Sequence, residues 1–117
     1  MAFIIKRIYE EADPSDGFRV LVDRLWPRGM SNQRAALDLW LKDAAPSPEL
    51  RAWLDHRADR FPEFSARYAA ELDTNQAVTE LRQIARTYPT VTLLYGARSP
   101  EINHAVVLVE FLDSVTG

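Results

Sequence analysis

Asp23, Arg24, Trp26 and Arg28 follow directly on the apolar run Val20-Leu21-Val22, and Tyr95, Gly96 and Arg98 follow Val91-Thr92-Leu93-Leu94 in the same way. An apolar strand that empties into dense polar chemistry is how α/β proteins commonly build a ligand site. Arginine suits anions because its planar fork pairs in two places with a carboxylate or phosphate. Ser99-Pro100-Glu101-Ile102 carries a helix-start signal: a hydroxyl cap, proline at the first position and an acid in the first turn. Such a start offers free backbone N–H groups to an anion. If the two runs are parallel neighbours, Arg24, Arg28 and Arg98 are expected to hold a phosphate, sulfate or carboxylate, with Trp26 and Tyr95 as walls. His104, just after that helix start, adds proton chemistry, with Asp23 to orient it or to serve as its acid–base partner. A plainer reading stands beside this one. In it the arginines pair with neighbouring acids to fasten loops, Trp26 packs over the sheet edge, and His104 is a hydrogen-bonded packing residue.

Other chemistries are excluded or unsupported. The chain has no cysteine, so disulfides, thiolate nucleophiles and cysteine-held zinc are ruled out. His56 and His104 lack metal-ligand spacing, and no glycine-rich nucleotide loop, P-loop, serine elbow or paired-histidine helix motif occurs. No metal or cofactor is expected. The formal net charge of -3 argues against a nucleic-acid binder, which normally shows a basic face. No run approaches about 20 apolar residues, so no membrane span is expected. Met1 to Ile5 is too short an apolar stretch for a secretion signal, which points to a cytoplasmic protein. Trp26, Trp40 and Trp53 read as packing residues rather than a base-stacking platform. Oligomeric state is not legible.

The elements that would position these residues follow from pattern. Residues 3–8 and 18–25 read as strands, separated by the turn cluster EEADPSDG. Met30 to Ala36 reads as loop. Leu37 to Lys42 fits both a strand and a helical face, with a lean to strand. Ser47-Pro48-Glu49 opens a helix that ends near His56, where a cation suits the dipole. A second helix spans 61–72, and a third runs from a cap at Thr74 or Asn75 to about Thr87. Val91 to Tyr95 is a strand and Ala105 to Leu112 a buried helix begun at Ser99. The 117 residues therefore make one α/β domain, a small layered fold with a short, mostly parallel sheet and packed helices.

Three segments carry a resemblance: VDRLWPRG at Val22 to Gly29, WLKDAAPSPELRAWLDH at Trp40 to His56, and TLLYGARSPEINHAVVL at Thr92 to Leu108. In that order they resemble the YeaO-like family of small bacterial proteins, classed as a domain of unknown function. The resemblance implies a cytoplasmic α/β single domain. It singles out Asp23, Arg24, Trp26, Pro27, Arg28 and Gly29, then Lys42, Ser47 and His56, then Tyr95, Asn103 and His104. More distant members place a cysteine where this chain has Asn103, so their thiol chemistry does not carry over. The expectation is a protein that binds or acts on a small anionic molecule, with enzyme and binding protein both open. The alternative is an interaction module that docks a partner through the WPRG loop.

Overall fold

The computed structural model describes residues 3–114. Four strands, β1 (Phe3–Arg7), β2 (Phe18–Leu21), β3 (Leu39–Trp40) and β4 (Val91–Tyr95), form one sheet in the order β1-β4-β2-β3. Every pairing is parallel. The five helices are α1 (Asn32–Ala35), α2 (Pro48–Leu54), α3 (Phe61–Leu72), α4 (Gln76–Thr87) and α5 (His104–Ser114). This is an α/β layered domain.

Period-two alternation divides the strands between two faces. Phe3, Val20, Val22, Val91, Leu93 and Tyr95 point to the face covered by α2 to α5, where Phe64, Tyr68, Leu81 and Leu108 complete the main core. On the opposite face Leu21 and Leu94 meet Ile8, Met30 and Ala35, with Trp26 and Trp40 at the margin. β4 lies between β1 and β2 and is buried at all five positions. That explains its near-continuous apolar sequence.

Caps set the helix starts. Ser47 Oγ accepts from Leu50 N at 3.2 Å and Pro48 stands at the first turn of α2. Asn75, rather than Thr74, caps α4 by accepting from Ala77 N at 2.9 Å. Leu37 to Lys42 resolves into the two-residue strand β3 followed by a 3-10 turn at Lys42–Ala44. Three expectations are corrected. The strand read as 18–25 ends at Leu21, and the chain beyond it turns away from regular pairing. The segment read as loop contains the short helix α1, because Ser31 caps it through Arg34 N at 3.1 Å. The last helix starts at His104 and not at Ser99. Ser99 Oγ accepts instead from Glu101 N at 3.2 Å and Ile102 N at 2.9 Å, closing a separate turn.

Candidate functional site

The C-terminal ends of β2 and β4 meet where the polar segments begin. Val22 N donates to Leu94 O at 3.0 Å, which brings Asp23 opposite Gly96. Asp23 Oδ2 accepts from Gly96 N at 2.8 Å. A Cβ at Gly96 would lie 3.0 Å from that oxygen, so glycine is what permits the close approach. His104, at the start of α5, turns its Nε2 to Val22 O at 2.9 Å and to Asp23 Oδ1 at 3.2 Å. Among the described residues Oδ1 is buried and has no well-formed hydrogen bond. Asp23 and His104 thus form one unit, with 19% and 15% of their side-chain surfaces exposed.

Burial governs the proton affinities of this unit. It pushes the Asp23 carboxyl above its ordinary value, against the pull of the His104 charge and the Gly96 N–H. It pushes the His104 imidazole below its ordinary value, against the attraction of Asp23. Each shift runs toward the neutral form, because burial penalises charge, and each is opposed by the charge of the partner. Arg51 acts electrostatically on both. Tyr68 stands edge-on to the imidazole, ring centroids 6.1 Å apart, and donates its hydroxyl to Ala44 O. Burial raises that hydroxyl well above its ordinary value.

The other residues singled out from the sequence are spread around this unit. Arg24 reaches toward the segment after β3: Nη2 donates to Pro46 O at 3.4 Å, Nη1 lies 3.9 Å from Asp43 Oδ1, and Nε is buried without a partner among the described residues. Arg28 is exposed, and its carbonyl accepts from Tyr9 Oη at 2.7 Å beside the end of β1. Arg98 is exposed beyond β4. The three arginines are therefore distributed along the sheet edge and do not close on a single point. Trp26 Nε1 donates to Met30 O at 2.7 Å, and Trp40 Nε1 to Asp23 O at 2.8 Å. Tyr95 is 3% exposed and belongs to the main core, so it does not wall an open pocket.

Several side chains are spent on local structure. Asn103 Oδ1 caps α5 through Val106 N at 3.0 Å, while its Nδ2 donates to Ser99 O at 2.8 Å. Ser47 donates its N–H and hydroxyl to Glu71 at 2.9 and 2.7 Å, tying α2 to α3. Lys42 Nζ lies 4.2 Å over the Trp40 ring. His56 is exposed in the turn after α2. Arg51, Tyr68 and Glu71 were not singled out from the sequence. Tyr68 sits on the apolar stripe of α3 and reads as core; only its hydroxyl, which needs a partner when buried, marks it as more. Among the described residues no cluster of three His, Asp or Glu is placed to hold a metal ion.

Residues 2–116 match the family model described as "Inactive DUF488-N3 subclade". The chain belongs to that family. Within the YeaO-like group it is 44% identical to the uncharacterised protein YeaO of Escherichia coli (strain K12) over 111 residues, covering 94% of this chain and 96% of that one. An uncharacterised protein of Mycobacterium tuberculosis (strain ATCC 25618 / H37Rv) is 43% identical over 109 residues, covering 93% and 92%. No solved structure matches the chain.

Proposed function

We propose that this DUF488-N3 protein binds a small anionic molecule at the C-terminal edge of its sheet, as a binding protein and not as a thiol-type catalyst. The observation that carries this reading is Arg24. Among the described residues its Nε is buried without a partner, its one hydrogen bond is 3.4 Å long, and its nearest acid is 3.9 Å away. A guanidinium has five donors, and buried donors normally find acceptors. A phosphate, sulfate or carboxylate beside Arg24 would supply them. Arg28, Arg51 and Arg98, all exposed near strand ends or α2, add a positive field for such a ligand. Asp23 and His104 hold the β2 end to α5 and give the edge a fixed shape. Asn103 is committed to capping α5, and the family description reads inactive. Both favour binding over turnover.

A second reading, docking of a protein partner through the loop after β2, has one observation in its favour. Leu25 is 63% exposed next to the exposed Arg28 and Gly29. It accounts for Leu25 but leaves the Arg24 donors unexplained, so the anion reading ranks first.

Thermal unfolding in sodium phosphate, against sodium chloride of equal ionic strength, tests the proposal. The midpoint is expected to rise with the logarithm of phosphate concentration above Kd, the added stability reaching about 2.7 kcal/mol at a ligand concentration of 100 times Kd. Arg24→Gln removes it and Arg28→Ala weakens it. The same rise in Arg24→Gln as in the parent protein overturns the assignment.

A further inference from the structure

A recess borders Trp40. It is a groove of about 280 Å³ between the loop after β2 and the edge strand β3, lined by Trp26, Asn32, Leu37, Asp38, Leu39 and Trp40. The indoles of Trp26 and Trp40 stand 5.3 Å apart at 68°, so they form a corner and not a stack. Their N–H groups point elsewhere, to Met30 O and Asp23 O, which fixes both rings. Asp38 Oδ2 accepts from Arg19 N at 2.9 Å, and the residue is otherwise exposed at the rim.

We propose that this groove binds a small organic cation, an ammonium or methylated ammonium on a short apolar stem. Two electron-rich ring faces meeting at a corner attract a cation through their quadrupoles, and tryptophan is the strongest of the aromatic side chains in this respect. Leu37 and Leu39 suit the apolar stem, and the Asp38 carboxylate supplies a counter-charge. The protein already shows the affinity: Lys42 Nζ rests 4.2 Å over the Trp40 ring, although Lys42 does not line the groove. The formal net charge of -3 favours approach of a cation. This site shares no ligating residue with the Arg24 edge and would take the opposite charge, so the two proposals stand or fall separately.

Titration of the full chain with tetramethylammonium chloride, against sodium chloride of equal ionic strength, reads binding through tryptophan fluorescence. A saturable change is expected, with a butyl-substituted ammonium binding more tightly. Asp38→Asn keeps an oxygen for Arg19 N and should weaken binding about fivefold, in line with the size of an exposed charge contact. Trp40→Leu should abolish the response, with circular dichroism as the check on folding. Arg24→Gln should leave it unchanged. A response no different from that to sodium chloride overturns the inference. So does an Asp38→Asn midpoint equal to the parent's.

Discussion

His104 Nε2 faces two oxygens, Val22 O at 2.9 Å and Asp23 Oδ1 at 3.2 Å. With Asp23 ionised both oxygens are acceptors, so the nitrogen between them carries the proton and the neutral ring is the Nε2–H tautomer. This makes Asp23→Asn more damaging than its shape suggests. The amide can give its oxygen to Gly96 N or to His104 Nε2–H but not to both, and its NH2 group then faces a donor. A loss of about 1–3 kcal/mol is expected from leaving a buried donor unsatisfied, read by urea denaturation at pH 7. The pH dependence has a defined sign. The His104 value is depressed, so its contribution to stability is present above the ordinary 6.5 and is lost as the pH falls through the lowered value. The raised Asp23 value works the other way: its contribution is present below the ordinary 3.8 and is lost as the pH rises through the raised value. His104→Gln should therefore lose less stability than the parent between pH 7 and pH 5. The nearness of these two residues was legible because each follows an apolar run or helix signal at a strand end. Arg51, Tyr68 and Glu71 were not legible, because a helical stripe or surface gives no sign of which partner it meets. Asn103 was hidden by the stronger Ser-Pro-Glu signal just before it.

At the scale of elements, the turn after α2 is one place where sequence and conformation disagree; Ala36, after α1, is another, with φ 47°. Asp55 and His56 both have left-handed backbone, φ 48° and 58°, a conformation that costs an L-residue roughly 1–2 kcal/mol. Glycine adopts it freely, though the unfolded chain then gains entropy. His56→Gly should raise stability by about 0.5 kcal/mol or more, the strain relieved less the entropy gained. The phosphate response should stay unchanged. A fall in thermal midpoint, or a lost phosphate response, would return His56 to the candidate site. Element identity was readable where a cap or a clear pattern marked it: Ser47 and Asn75 for α2 and α4, the apolar stripe for α3, and the continuous apolar run for β4. β3 was ambiguous because only two of its residues pair, at Leu39 and Trp40, too few for alternation to show. α1 was missed because four residues make barely one turn.

The whole molecule is asymmetric about its sheet. Four helices cover one face, while the crossover from β1 to β2 passes beside the other with only the 3-10 turn Pro14–Asp16. A loop buries less apolar area than a helix, and the strands carry polar side chains on this face: Lys6, Arg19 and Thr92. Asp16 gathers them. Its carboxylate takes Lys6 Nζ at 3.1 Å, Asp13 N at 3.0 Å and Arg19 Nη1, and its carbonyl takes Thr92 Oγ1 at 2.6 Å. Arg19, 4% exposed, also donates to Ala35 O at 2.8 Å, which fastens α1 to the sheet. The parallel sheet was legible in the sequence, but this cluster was not, since its members are separated along the chain and look like ordinary surface charge. Burial alone would raise the Asp16 carboxyl, yet the Asp13 N–H and the Lys6 and Arg19 cations outweigh it and hold the value below 3.8. Asp16 therefore stabilises the fold above pH 3.8, and that contribution is lost as the pH falls through the lowered value. Asp16→Ala strands a buried guanidinium and should cost about 3–5 kcal/mol, a large part of the roughly 5–15 kcal/mol available to a domain. Adding Arg19→Met should recover much of the loss, because the damage lies in the unpaired charge and not in the missing contact. Urea midpoints for the single and double variants decide it: a single-variant cost below about 1 kcal/mol, the range of an exposed pair, would mean that water reaches this face and that the loop does not seal it.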